Sequence, residues 1–132
     1  MSVSTTVPNS SNQEQMVTHL REAIDALIAS IESGRVGFDY AVKEYVDHHD
    51  NALSSAFNGF VEEMELAASQ PIYGDNDPIP DLSDKRRDAL LNVANRANVS
   101  EVTAFTDAMI EAQDKQISVV KALTLQADQL RP

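Results

Sequence analysis

The chain has no cysteine and no tryptophan. The first absence excludes a disulfide framework and a thiolate zinc site, and leaves the redox compartment open. The second, with aromatics at only 5%, means that the core is made of Leu, Val, Ile, Ala and Met. Basic residues are scarce: 10 Lys and Arg face 21 Asp and Glu, a formal charge of −11. A phosphate backbone is therefore repelled, and direct nucleic-acid binding is not expected. Long apolar runs are missing as well. Ala26-Leu27-Ile28-Ala29 and Val119-Val120 fall far short of the ~18 residues that cross a bilayer, so no membrane span is expected. Residues 1–12 are rich in Ser, Thr and Asn, and the first basic residue is Arg21. A disordered polar tail without a cleavable secretory signal is expected there. The protein is then cytoplasmic, or exported without a cleaved signal.

What is present is helical periodicity in a chain of 132 residues, enough for one domain over residues 13–130. Between Gln13 and Ser33, Val17, Leu20, Ile24, Leu27, Ile28 and Ile31 recur at three- and four-residue steps. Gly34 is expected to end this helix in the left-handed conformation, and Gly37 to complete a tight turn. A second, long helix is expected from about Phe38 to Ser69, with a seam through Val42, Tyr45, His49, Leu53, Ala56, Phe60 and Met64. Gly59 inside it marks a bend or a close helix contact. Pro71, Gly74, Pro78 and Pro80 make residues 70–83 a hinge loop. A short third helix, Asp84 to Ala97, presents Leu90, Val93 and Ala97, with Asp81 or Ser83 as its cap. Asn98 and Glu101 have the spacing of a capping box for a fourth helix, whose seam reads Phe105, Met109, Ala112, Gln116, Val119, Leu123 and Leu130. No segment alternates as a strand does. The expected fold is all-α: a bundle, or an elongated antiparallel helical hairpin, of about four helices.

Chemistry finds few parts. Asp47-His48-His49-Asp50 is the one cluster of metal-ligand type, with Glu44 one turn before His48. A di-iron bundle needs Glu-x-x-His on two helices, and the chain has none. Adjacent histidines also point to different faces of a helix, so no metal or other cofactor is expected. No nucleophile has a base beside it and no Gly-rich phosphate loop occurs, so the protein is not expected to be an enzyme. From Asp39 to Glu65 the chain carries Asp39, Glu44, Asp47, Asp50, Glu62, Glu63 and Glu65 against Lys43 alone, seven acids less one base or −6. This is a solvated face or a surface for a basic partner. Lys85-Arg86-Arg87 opposes the dipole at the start of its helix and is flanked by Asp81, Asp84 and Asp88, which points to local salt bridges.

Two resemblances are carried by short stretches. Leu27-Ile28, Gly37-Phe38 and Tyr40-Ala41 resemble positions of small ferritin-like proteins, which implies helical packing and, as one alternative, a metal-binding helical protein. Val102-Thr103-Ala104-Phe105-Thr106-Asp107-Ala108-Met109, Gln116 and Ser118-Val119-Val120-Lys121-Ala122-Leu123 resemble the C-terminal helix of type III secretion needle subunits. Met1-Ser2-Val3 and Val7-Pro8-Asn9 echo the start of some of them. That resemblance covers about a quarter of the chain and implies export without a cleaved signal and assembly through C-terminal helices.

The expected function is that of a non-catalytic, acidic helical interaction or assembly subunit whose partner is another protein or a second copy. Phe105, Met109, Val119, Val120 and Leu123 would form the apolar contact, with Gln116 setting its register. The alternative is an acidic inhibitor, immunity protein or chaperone that masks a basic partner through Glu62, Glu63 and Glu65.

Overall fold

The computed structural model describes residues 8–69 and 82–130, with side chains from residue 13 onward. Residues 1–7 of the expected tail and 70–81 of the expected hinge lie outside the described residues. The described residues form six helices and no strand: α1 Pro8–Gly34, α2 Phe38–His48, α3 Ala52–Ala68, α4 Ser83–Ala97, α5 Ser100–Asp114 and α6 Val119–Leu130. The all-α class matches expectation, and the helix number is six rather than about four. Helix α1 begins at Pro8, so residues 8–12 of the expected tail are helical.

Each helix packs against the next, and α6 returns to α1, so the six close into a ring. Helices α3 and α4, joined through residues 69–82, run antiparallel. Arg96 near the end of α4 reaches Ala56 near the start of α3, and Asn92 pairs with Glu63, as antiparallel packing requires. The core inside the ring is one cluster. Leu20, Ile24, Val42, Leu53, Phe60, Val93, Val102, Phe105 and Leu123 are each wholly inaccessible. Each large apolar side chain so buried contributes about 1.5–3 kcal/mol, which is what holds helices too short to persist alone. Phe57 joins the halves of the ring, edge-on to Tyr45 at 6.1 Å and to Phe105 at 6.0 Å.

The expected long second helix is broken at 49–51. His49 leaves the helix with φ −136°, and Asn51 starts α3 with a capping box. The Asn51 Oδ1 accepts from the Ser54 amide at 2.8 Å, and Ser54 Oγ accepts from the Asn51 amide at 2.8 Å. These two bonds satisfy amides that a continuous helix would have used, so the break is stabilised from its C-terminal side. His49 is consequently exposed rather than part of an apolar seam, and its ring stacks on Tyr45 at 4.1 Å.

The expected fourth helix is broken too, at 115–118. Gln116 takes φ 57°, the Ile117 amide donates to Ala112 O at 2.8 Å and the Gln116 amide to Gln113 O at 3.2 Å. That pair of bonds is a Schellman stop. Gln116 therefore ends α5 instead of setting a coiled-coil register. The segment resembling a needle-subunit helix is thus divided between α5, this turn and α6.

Among the described non-glycine residues, Arg35, Asn98 and Gln116 are left-handed, and they follow the ends of α1, α4 and α5. Gly34 was expected at the first, yet it is the last helical residue and Arg35 takes φ 55°. Asn98 was expected to open the fourth helix; it closes α4 instead, donating its amide to Ala94 O at 2.9 Å, and α5 starts from Val99 with no side-chain cap. Nor does Ser83 cap α4, whose first residue it is. Gly59 does mark a close contact: a Cβ there would run into the Arg96 guanidinium, which donates to Ala56 O from Nε at 3.2 Å and Nη2 at 3.1 Å.

Candidate functional site

The residues expected to form the interaction contact separate cleanly. Phe105, Met109 and Leu123 are core, and Val119 and Val120 are half-buried at the start of α6. Gln116 is exposed in the turn. Of the acidic set, Glu62 and Glu65 are exposed on α3, whereas Glu63 turns toward α4. Its Oε1 accepts from Asn92 at 2.7 Å, and Arg96 Nη2 lies 3.5 Å from Oε2, an ion pair too poorly aligned to be a hydrogen bond. Asp39 is held by Arg86, and Asp47 lies 3.6 Å from Lys43. The nominal charge of the segment from Asp39 to Glu65 is therefore partly spent inside the fold.

The histidine cluster opens onto a shallow hollow of about 590 Å³ with Ser54, Ser55 and Asn58. One nitrogen of each ring is engaged. Nδ1 of His48 donates to Glu44 O at 2.8 Å and Nδ1 of His49 to Tyr45 O at 2.9 Å; a carbonyl only accepts, so the proton sits on Nδ1 in both. Among the described residues, no group of three or more His, Cys, Asp or Glu is placed to hold a metal ion. Beside this cluster, burial raises the pKa of the Tyr45 hydroxyl; the hydrogen bond from Asn51 opposes the rise and Glu22 adds to it.

A second cleft, of about 440 Å³, lies where the first turn of α2 meets α4, α5 and the start of α6. Phe38, Tyr40, Leu90, Met109 and Val119 line it, with Arg86 and Gln113 at its edge. The polar groups there satisfy one another. Arg86 donates from Nη1 to Gln113 Oε1 at 2.8 Å, and Gln113 Nε2 donates to Ser83 O at 3.0 Å. The Lys85-Arg86-Arg87 run is thus structural at two positions, through ties to α2 and α5 as well as the local ones expected. Arg87 pairs with Asp84 and Asp114, and its pKa is raised, first by the hydrogen bond to Asp114.

A further open groove, of about 650 Å³, lies between α5 and α6. Ala104, Ala108 and Ala112 floor it at four-residue intervals on α5, and Ile117 and Leu125 rise from the turn and α6. Leu125 is 56% exposed and Ile117 42%. Gln126 is buried at the base, its Nε2 donating to Gln129 at 3.3 Å. Asp107 and Glu111 edge the α5 side and Lys121 the α6 side. Sequence reasoning missed this groove because it followed the seam. Ile117 and Leu125 are large apolar residues off the seam, and that mismatch was the available signal.

In comparisons with known proteins, no family model, no curated protein and no solved structure matches this chain. No helix among the described residues is long and apolar enough to cross a membrane.

Proposed function

We propose that the protein is a non-catalytic, acidic helical interaction subunit that binds another protein through the face made by α5 and α6. The observation that carries this is the pairing of Ile117 and Leu125, 42% and 56% exposed, along one alanine-floored groove. Large apolar side chains exposed singly need no explanation, but two that line one concave strip beside small residues are the anatomy of a contact surface. The other large exposed apolar residues, Tyr40, Leu66 and Leu91, do not line this groove. The non-catalytic part of the reading is supported by the Arg86–Gln113 pair at the second cleft, which is self-satisfied.

Leu125→Glu tests the reading. The side chain is exposed, so helicity and the unfolding midpoint stay within about 0.5 kcal/mol of the parent. Capture of the partner from the native source is expected to disappear. Full-strength capture by the variant would remove this face from the function.

A further inference from the structure

The rim of the α5–α6 groove is not symmetrical in charge. Asp107 and Glu111 stand one helical turn apart on the α5 edge, while Lys121 stands on the α6 edge. Asp107 makes no hydrogen bond or ion pair among the described residues, and Glu111 has only an exposed i,i+4 pair to Lys115 at 3.4 Å. Such a pair is weak and readily exchanged for another cation. The floor is made of alanines at i, i+4 and i+8, so a second helix can approach closely along that row. Its lining runs from Ala104 to Ala112 on α5 and from Lys121 to Gln129 on α6, about 12 Å, or roughly two turns of a docked helix.

Resting on the interaction reading above, we propose that the groove receives an amphipathic helix of a different protein, its apolar stripe on Ala104, Ala108 and Leu125 and a row of Lys or Arg facing Asp107 and Glu111. Charge decides between this occupant and a second copy. Residues 100–130 carry five acids (Glu101, Asp107, Glu111, Asp114, Asp128) against Lys115 and Lys121, within a chain of net charge −11. Two copies would bring those acids together, whereas a basic helix is drawn in by the same field and neutralises it. Lys121 confines the basic row to one side of the incoming helix, because a cation on the α6 edge would be repelled.

The test uses the full chain and two synthetic helical peptides that share a Leu and Ala stripe and differ in one flanking row, Lys in the first and Glu in the second. The Lys peptide is expected to bind about tenfold more tightly than the Glu peptide, which is two favourable charge pairs' worth, with an advantage that shrinks as salt rises. The double variant Asp107→Lys with Glu111→Lys changes only exposed positions and is expected to reverse the preference. Equal affinity for both peptides, an unreversed preference, or a concentration-dependent dimer in sedimentation that Leu125→Glu abolishes would each overturn the proposal. If the peptides do not discriminate while Leu125→Glu still abolishes capture of the native partner, the basic-helix proposal falls and the interaction function stands. If capture survives Leu125→Glu, the interaction reading itself falls.

Discussion

Arg86 grips Asp39 with both ends of its fork: Nε lies 2.9 Å from Oδ1 and Nη2 2.8 Å from Oδ2. The remaining nitrogen, Nη1, reaches Gln113, so one guanidinium ties α4 to α2 and to α5 at the end of the bundle where α6 begins. The pair is 27% and 33% exposed, which trims its strength by solvent screening.

Arg86→Lys keeps the charge but cannot make the planar two-point contact. A loss of about 1 kcal/mol is expected, read as a lower urea midpoint at unchanged m-value. Arg86→Met should lose about 2 kcal/mol. In a double-mutant cycle with Asp39→Asn the two losses should fall short of additivity by about 1 kcal/mol; full additivity would mean that the contact contributes nothing.

Phe105 and Leu125 should behave oppositely. Phe105→Ala empties the space beside Phe57 and is expected to cost about 3–5 kcal/mol, enough to unfold much of the population, since Phe105 is inaccessible. Leu125→Glu should leave stability nearly untouched and remove partner binding. Thermal melts of the two variants side by side check the assignment of one residue to the core and the other to the contact.

Gly59→Ala should change sign with its background. In the parent chain the new methyl displaces Arg96 from Ala56 O and Glu63, at a net cost of up to about 1 kcal/mol. In an Arg96→Ala background the obstacle is gone. Alanine's helix propensity should then stabilise by about 1 kcal/mol relative to Gly59 in the same background. Chemical denaturation of the four proteins measures both.

The break at 115–118 predicts that Gln116→Gly stabilises. Gln116 has φ 57°, a conformation that glycine adopts without a Cβ clash, and relief of about 1 kcal/mol is expected, somewhat offset by the freer unfolded chain. A continuous α5–α6 helix would give the opposite result, because glycine inside a helix costs about as much. A calorimetric midpoint decides.

Tyr45 sets an alkaline limit. Its pKa is raised in the folded protein, chiefly by burial, so the folded state holds the phenolic proton more tightly than the unfolded state does. The associated stability is complete below about pH 10, the unfolded value, and is lost as pH climbs through the higher folded value. Unfolding followed by tyrosinate absorbance should therefore steepen above about pH 10. Tyr45→Phe should flatten that dependence at the cost of the Asn51 hydrogen bond at 3.2 Å.

The all-helical class was legible because apolar spacing survives averaging. Leu20, Ile24 and Leu27 on α1, and Leu90 and Val93 on α4, are buried as their steps require. The interruptions were not legible, for a physical reason. His49 to Leu53 and Gln116 to Val119 keep steps of four and three across the two breaks, so the seam runs on where the helix does not. The stop of α5 uses Gln116 in the conformation normally signalled by glycine, as Arg35 and Asn98 do after α1 and α4. Asn51 with Ser54 was the available mark of the first break, a capping pair hidden within an apolar run. The groove went unseen for a related cause: an exposed leucine on an amphipathic helix looks like noise until the neighbouring alanines are brought alongside it.

The packing of α6 on α1 joins the first described helix to the last, and this orders events during synthesis. While the ribosome is still making α6, the stripe of Leu20, Ile24 and Leu27 lacks one wall, and only α1 to α5 can assemble through near neighbours. The nascent chain must shelter that open flank until the 12 residues of α6 emerge, so any delay in their arrival lengthens the interval in which the half-closed barrel of helices can stick to something else.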